Sequence, residues 1–357
     1  MQALMTSVEL RKRGHDVTLL CPPRSTLLRE AASAGVPTVS ILREDKNALA
    51  TIKDLSGLLR NYDYDVVHTH LSHDLWWIVP GMKLAGSDAR LFLTKHMASG
   101  VKKTDPVHRF LYGRLQGTFA ISNYIRKSVI DTCPVPSSQV YVVHPGIYPD
   151  TFDPGRFMKS EIRNELGVPE NVVLVGMSGR MTPGKGHEEY LRAARKVADT
   201  SDVKFSFLVA GAASRGEEAY EAKVRSLAGE LDLDESVRFM GFVKDVPRFL
   251  AALDIFVFPS HEESFGLGLT EAMAMKIAAV ASRSAGVLDI VVEGETGILF
   301  PPKDYDSLAS GIMALAVDPS NRNRFGEAAR ERVKTQFSIE AMIDKLEKYY
   351  SESSTKV

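Results

Sequence analysis

The chain has 357 residues, of which 44% are hydrophobic and 25% are charged, a composition that excludes a disordered chain and allows two globular domains. Its formal net charge of −1 excludes a global attraction to nucleic acid, although residues 1–150 are the more basic part, with 18 Lys or Arg against 13 Asp or Glu. Cys21 and Cys133 are too few for a disulfide framework and favour a reducing, cytoplasmic setting. Because no run approaches the roughly 18 apolar residues of a membrane span, we expect a soluble or peripheral protein.

The first part of the chain predicts a parallel sheet. The chain as given opens in an amphipathic helix, MQALMTSVELRKRG, whereas a parallel α/β domain normally starts with a strand and a glycine turn, so we expect the first strand to be missing. Apolar runs that alternate with helical patterns then predict a strand each. These runs are VTLLC (17–21), DVVHTH (65–70), ARLFLTKH (89–96), GTFAIS (117–122) and VYVVHPG (140–146).

The second part repeats this alternation of strand and helix patterns. It follows HPGIYPDTFDPGRF (144–157), whose prolines and glycines indicate a linker. Its predicted strands are NVVLVGMSGR (171–180), KFSFLVAG (204–211), SVRFMGF (236–242), DIFVFPS (254–260), AAVAS (278–282) and TGILF (296–300). We therefore expect two doubly wound α/β domains, residues 1–150 and residues 151–336. A closing helix with a polar tail follows over 337–357, because FSIEAMIDKLEKYYSE has apolar residues at helical spacing.

One candidate anion site is SGRMTPGKGH (178–187), which leaves a buried strand and enters a helix. Its glycines, Gly179 among them, let backbone N–H groups approach an anion, while Arg180 and Lys185 supply two cations. The segment suits a diphosphate. The alternative is an ordinary strand-to-helix turn with solvated basic residues.

A second candidate is PSHEESFGLGLTEAMAMK (259–276), where Glu263 and Glu271 lie eight positions apart across a turn that enters a helix. Gly266 and Gly268 leave the N–H groups of the helix start open to a phosphate, and the two carboxylates suit sugar hydroxyls. Acidic residues near a helix start are also common as partners of the helix dipole, which is the alternative.

Together and in this order, SGRMTPGKGH and the E-x7-E pattern from Glu263 to Glu271 resemble the donor half of glycosyltransferase family 4. The resemblance extends over VRFMGFVKDVPRFLAALDIFVFPSHEESFGLGLTEAMA and SRSAGVLDIVVEGETGILFPPKD, and so over nearly all of 171–304. It implies the GT-B fold, in which two Rossmann-like domains face each other across a cleft and the second binds the nucleotide sugar. The closing helix would then cross back onto the first domain.

The resemblance also implies roles for single residues. Arg180 and Lys185 would neutralise the diphosphate, Glu263 would face the donor sugar and Glu271 the ribose. Main-chain groups of the next helix start would contact the sugar or the phosphates, and the backbone of GFVKDV would contact the base. The contacts with the sugar or the phosphates would come from Phe265, Gly266 and Leu267. The contact with the base would come from Phe242 and Val243.

In this family, a histidine of the first domain, in a T-x-H context, points towards the transferred sugar. The segment LFLTKHM places His96 at this position. His68 and His70, which close another predicted strand, are the alternatives and candidate acceptor contacts. A basic stretch next to His96 suits a phosphorylated or lipid-linked acceptor or an anionic membrane face, unless it is only a solvated helix face. Its candidate acceptor residues are Lys102, Lys103 and Arg109.

The resemblance implies a retaining glycosyltransferase that uses a UDP-, GDP- or ADP-sugar, without a cofactor or a metal. The acceptor would be a glycan or a lipid-linked intermediate of cell-envelope polysaccharide or lipopolysaccharide synthesis. Two alternatives remain. One is a non-catalytic nucleotide-sugar-binding protein, favoured by the shortened start of the first domain, and the other is a different GT-B enzyme such as a nucleotide-sugar epimerase.

Overall fold

The structure, a computed structural model, describes residues 2–41 and 47–352. The chain forms two compact units. Unit 1 comprises Met1–Gly146 together with Ile339–Val357, and unit 2 comprises Ile147–Ser338. Unit 1 is therefore built from two separate stretches of the chain, and unit 2 from one.

Unit 1 is an α/β unit with parallel strands. Its strands are β1 (Leu19–Leu20), β2 (Thr38–Val39), β3 (Val66–Thr69), β4 (Arg90–Lys95), β5 (Leu115–Ala120) and β6 (Val140–Val142). Its helices are α1 (Gln2–Lys12), α2 (Thr26–Ser33), α3 (Ala48–Asn61), α4 (Leu75–Ala85), α5 (Pro106–Tyr112), α6 (Asn123–Thr132) and, from the end of the chain, α15 (Ile339–Glu352). Among the described residues, β1 and β2 pair only with each other, while β3, β4, β5 and β6 form a separate sheet in that order.

Unit 2 contains one six-stranded parallel sheet covered by helices. Its strands are β7 (Val173–Ser178), β8 (Phe205–Ala210), β9 (Val237–Gly241), β10 (Ile255–Phe258), β11 (Ala278–Ser282) and β12 (Gly297–Phe300). Its helices are α7 (Lys159–Glu165), α8 (His187–Thr200), α9 (Glu218–Glu230), α10 (Val246–Ala251), α11 (Leu267–Ala274), α12 (Val287–Ile290), α13 (Tyr305–Val317) and α14 (Pro319–Gln336). The strand order is β12-β11-β10-β7-β8-β9, so successive strands run outward from the centre in both directions, as in a doubly wound sheet.

The predicted parallel α/β fold is confirmed, and each predicted strand overlaps a strand of the structure. The strand that the sequence did not predict is β2, whose two residues follow Pro37 and form no apolar run. Most residues of the central strands are buried in both units, as Phe92, Phe119 and Phe207 illustrate. Continuous apolar runs therefore predicted these strands well, because both faces of a parallel sheet are covered.

Short polar residues stop and start the helices. Ser122 and Asp105 accept hydrogen bonds from backbone N–H groups at the first turns of α6 and α5, and Asp304 does the same for α13.

None of the helices within 2–41 and 47–352 is long and apolar enough to cross a membrane.

Candidate functional site

The two candidate segments of unit 2 meet at the centre of its sheet. Strands β7 and β10 are neighbours, yet the chain leaves β7 towards β8 and leaves β10 towards β11. In open α/β sheets, ligands bind at the carboxyl ends of the strands where the winding reverses in this way. The loop 179–186 follows β7 and the loop 259–266 follows β10, so both predicted segments lie at this point.

The two loops are in direct backbone contact. His261 donates its N–H to the carbonyl of Gly184 at 2.8 Å. Gly186 has φ +78°, and a Cβ atom there would lie 2.2 Å from the carbonyl oxygen of Pro259. The second glycine of the GKG sequence is therefore required both by its left-handed conformation and by the close approach of the other loop.

Lys185 and Glu263 are brought together, although 78 positions separate them in sequence. The Lys185 ammonium donates to Oε2 of Glu263, and about a quarter of each side chain is exposed, 26% and 21%. Arg180 lies in the same loop as Lys185 and is exposed, and its guanidinium has no ion-pair partner in the described part of the chain. The site thus offers one free cation, a second cation held by a carboxylate, and that carboxylate.

The start of α11 lies beside this pair. Gly266 precedes the helix with φ +124°, and Leu267, its first residue, is exposed. Phe265 is buried, with its ring edge against Phe337 at 5.7 Å between centroids. A Cβ atom at Gly268 would lie 3.5 Å from Oγ of Ser178, which places the helix start at the carboxyl end of β7. The amino-terminal end of this helix, which favours anions, therefore lies at the same edge of the sheet as Lys185.

Glu271 lies one turn inside α11 and is partly buried. Burial raises the pKa of its carboxyl from an ordinary 4.5 to about 7. Raised carboxyl pKa values of this kind cluster at functional sites, because such sites exclude water without supplying a neutralising charge.

The loops after β8 and β9 extend this edge. Gly179 donates its N–H to the carbonyl of Ala210 at 3.0 Å. Gly211 has φ +141°, and a Cβ atom there would lie 1.7 Å from the carbonyl oxygen of Gly179, so both conditions require glycine. Phe242 and Val243 follow β9, two strands from β7, and the Phe242 side chain is 76% exposed. Sequence reasoning missed Gly211, whose single signal was a glycine at the end of the predicted strand 204–211.

In unit 1, the three candidate histidines form one row at the carboxyl ends of β3 and β4. The ring centroids of His68 and His70 are 4.7 Å apart, and those of His70 and His96 are 5.3 Å apart, both pairs stacked. Nδ1 of His70 lies 3.1 Å from Nε2 of His96. A hydrogen bond at this distance requires one ring nitrogen to donate and the other to accept, so the tautomer of one ring determines that of the other.

The surroundings of the row disfavour the charged form of each imidazole. Burial lowers the pKa of His70 to about 3, and repulsion by His96 adds to the effect. Burial also lowers the pKa of His96 and, with repulsion by its histidine neighbours, holds that of His68 well below its ordinary value. These imidazoles can therefore donate and accept hydrogen bonds without carrying a charge.

Helix α15 supplies a partner that sequence reasoning missed. The hydroxyl of Tyr350 lies 2.6 Å from Nδ1 of His68, whose Nε2 lies 2.7 Å from Oγ1 of Thr94. Nothing in the local sequence of α15 signals this contact, because it depends on where the helix packs. His68 thus has both nitrogens bonded within unit 1, which leaves His70 and His96 as the more available members of the row.

The predicted acceptor cations are not joined to the histidine row by any hydrogen bond among the described residues. Lys102 and Arg109 are exposed, whereas Lys103 donates to the hydroxyl of Tyr112 at 2.9 Å. No hydrogen bond or ring contact in the described ranges joins Lys102 or Arg109 to the histidines. In the same ranges, no group of three or more His, Cys, Asp or Glu residues is placed to hold a metal ion.

Two family models match the chain, one on each part. The model described as "Glycosyl transferases group 1" matches residues 158–332, and the model described as "Glycosyltransferase Family 4" matches residues 2–151. Together they include every candidate residue named above.

Curated relatives carry the names of sugar transferases and synthases. An alpha-maltose-1-phosphate synthase of Mycolicibacterium smegmatis is 30% identical over 80% of this chain and 72% of its own length. A D-inositol 3-phosphate glycosyltransferase of Kribbella flavida is 29% identical over 75% of this chain and 66% of its own length. A protein of the same name from Corynebacterium efficiens is 34% identical, and the match spans 61% of this chain and 52% of that protein.

Solved structures share the fold over the whole chain. A glycosyltransferase from Rickettsia africae superposes with a TM-score of 0.89 at 24% identity, covering 100% of this chain and 95% of the other. HepE from Anabaena, solved in complex with UDP and glucose, gives a TM-score of 0.81 at 18% identity over 98% and 95% of the two chains. The architecture is the GT-B fold.

Proposed function

Because the chain belongs to glycosyltransferase family 4, we propose that it is a glycosyltransferase that moves a sugar, with retention, from a nucleotide-diphosphate sugar to an acceptor hydroxyl. The observation that carries this proposal is the convergence of Lys185, Glu263 and the start of α11 at the carboxyl ends of β7 and β10. Cations and free helix N–H groups suit a diphosphate, and carboxylates suit sugar hydroxyls.

The donor residues would share the ligand as follows. Arg180 and Lys185 would bind the diphosphate, and Glu263 would release Lys185 to accept hydrogen bonds from the sugar. Glu271 would accept from the ribose hydroxyls, and the backbone of Phe242 and Val243 would contact the base. UDP is the first nucleotide to test, because HepE is solved with it.

The proposed mechanism is front-face substitution. The bond between the anomeric carbon and the diphosphate oxygen breaks, the acceptor oxygen forms a bond to that carbon on the same face, and the departing diphosphate takes the acceptor proton. Arg180 and Lys185 stabilise the charge that develops on the leaving group, a contribution that is larger in the transition state than in the ground state. His96 would contact the transferred sugar by analogy with the family, and its tautomer would be coupled to that of His70.

The acceptor we propose is a glycan or lipid-linked intermediate of the cell envelope, reached at the cytoplasmic face of the membrane. Exposed Trp76 and Phe110 support membrane contact, because Trp76 lies edge-on to His108 and the Lys83 ammonium lies 5.4 Å from the Phe110 ring centroid. Aromatic rings interleaved with cations suit an anionic lipid surface. Phosphorylated polyols are the second acceptor class to test, since D-inositol 3-phosphate appears in the names of several relatives.

The first experiment identifies the nucleotide. Thermal unfolding with UDP, GDP or ADP at about 100 times the dissociation constant should raise stability by about 2.7 kcal/mol for the nucleotide that binds. The Arg180→Ala, Glu271→Ala double variant should lose this response, whereas Lys334→Ala, an exposed position on α14, should keep it. If no nucleotide stabilises the folded parent, the donor site is wrong.

The second experiment tests transfer. NMR of the product should show an α-linkage from an α-linked donor, and Lys185→Ala should lower kcat/KM by about 10²–10³. A β-linked product would contradict retention. Conversion of the nucleotide sugar with no acceptor would instead support the epimerase alternative, and nucleotide binding without turnover on any acceptor class would support the non-catalytic one.

A further inference from the structure

Unit 2 contains a cavity of about 240 Å³ at the amino-terminal edge of its sheet. Asp254 comes directly before β10 and Ala278 begins β11, and both line the cavity. Because β10 spans four residues, roughly 13 Å of strand separates this edge from the candidate donor site at the other end. The cavity is therefore distinct from that site.

Cations outnumber carboxylates around this cavity. Asp254 faces two of them, since Oδ1 accepts from Lys159 at 2.8 Å and Oδ2 accepts from the Arg163 guanidinium. Arg322 donates instead to the neutral carbonyls of Leu315 and Ala316, at 2.8 and 3.1 Å, and forms no ion pair with a carboxylate of the described residues.

Lys276 adds a further cation to the cavity wall and pairs with Glu327 at 2.8 Å. The cavity and its ion-paired neighbours therefore contain four cations and two carboxylates. The carboxylates are Asp254 and Glu327, and the cations are Lys159, Arg163, Lys276 and Arg322. Burial lowers the pKa of Lys159, and the positive charges of Arg163 and Arg322 lower it further against the opposing effect of Asp254. Burial is the main cause of this lowering, and the repulsion shows that Arg163 and Arg322 both lie close enough to act on the Lys159 ammonium group.

We propose that this cavity binds a small anion through a phosphoryl group held by Lys159 and Arg322. The volume lies below the roughly 300 Å³ at which pockets for drug-sized ligands begin, so it suits a three-carbon phosphate or free phosphate rather than a nucleotide sugar. An arginine fork and a neighbouring ammonium are the donors that phosphate oxygens prefer. The apolar wall contributed by Phe157 and Met275 suits the carbon part of an organic phosphate.

Calorimetric titration of the full chain with inorganic phosphate and with glycerol 3-phosphate tests the proposal, with glycerol as the uncharged control and ionic strength held constant. Both anions should bind and glycerol should not. Tighter binding of glycerol 3-phosphate would assign the site to an organic phosphate, and equal binding would assign it to phosphate itself. Absence of binding by both anions would overturn the proposal.

Variants separate this cavity from the donor site. Arg322→Met and Lys159→Met should each weaken anion binding about tenfold or more, which corresponds to one charge-assisted hydrogen bond. Lys334→Met, about 18 Å further along α14 than Arg322, should leave it unchanged, as should the Arg180→Ala, Lys185→Ala double variant. If the double variant abolishes binding while Arg322→Met and Lys159→Met bind like the parent, phosphate binds only at the donor site and the proposal is wrong. A cooperative unfolding transition for each variant, recorded without ligand, shows that a loss of affinity is not a loss of fold.

Discussion

At the scale of single residues, the candidate donor site combines two carboxylates in opposite electrostatic environments. Glu263 is paired with Lys185, whereas Glu271 is partly buried, forms no ion pair with the described residues, and has its pKa raised to about 7 by burial alone. Between pH 4.5 and 7, the Glu271 carboxyl ionises in the unfolded chain but stays largely protonated in the folded chain. The free energy of unfolding therefore falls as the pH rises through this range. Below pH 4.5 both states are protonated and the penalty vanishes.

We therefore predict that Glu271→Gln removes a pH-dependent penalty. Relative to the parent, the variant should gain up to about 3 kcal/mol in the free energy of unfolding between pH 4.5 and 8, and denaturant unfolding at several pH values measures this. Glu235→Gln, at an exposed position, controls for the loss of one carboxyl. A difference that does not change with pH would show that Glu271 does not titrate in this range.

At the scale of elements, the junction between the loops after β7 and β10 depends on one glycine. Gly186 lies where the backbone of Pro259 leaves no room for a Cβ atom, whereas Gly184, two residues earlier, has φ +86° and no atom within 4 Å of a Cβ position. The two glycines thus share the left-handed backbone and differ in their surroundings. This difference makes them a matched pair.

We predict that Gly186→Ala lowers the free energy of unfolding by about 3 kcal/mol or more, because the loops must separate. Gly184→Ala should lower it by only about 1–2 kcal/mol, the conformational cost alone. Nucleotide affinity should fall more in Gly186→Ala, since Lys185 and Glu263 lie on the two loops that move apart. Equal effects of the two substitutions on stability would show that the junction tolerates the methyl group.

At the scale of the whole molecule, unit 1 is completed by the end of the chain. Tyr350 packs against Phe92 and Phe119, with ring centroids 5.2 and 6.2 Å apart, and Tyr349 stacks on Tyr141 at 4.2 Å. Arg13 of unit 1 pairs with Asp344 and Glu347 of α15, at 2.6 and 2.5 Å. Helix α15 therefore covers part of the unit 1 core, although its sequence follows unit 2 directly.

We predict that a chain ending at Ser338 keeps unit 2 folded and loses unit 1. Ile339, Ile343 and Leu346 are buried, and each such side chain contributes about 1.5–3 kcal/mol, so with Tyr350 their loss approaches the whole stability of a typical domain. Hydrogen exchange should show protection confined to 147–338. Tyr350→Phe, which keeps the ring and removes the hydroxyl, should cost only about 1 kcal/mol. Persistent protection of β4 and β5 in the shortened chain would contradict the prediction.

The sequence by itself determined the secondary structure and the fold class. Buried parallel strands are continuous apolar runs bounded by glycine and proline, and this local signal identified every strand except β2, which has two residues. The same signal placed both donor segments at strand ends, and their spacing carried the resemblance to the family. Backbone conformation and burial of a strand depend on neighbours in the sequence, so they could be predicted.

Only the tertiary structure decided which of these strand ends meet. The order β10-β7 brings Glu263 to Lys185, and the packing of α15 brings Tyr350 to His68. Likewise, the cations around the cavity come from α7, the turn before β11 and α14, far apart in sequence. Local periodicity contains no information on strand order or helix docking, because these follow from how apolar faces pack together over the whole chain.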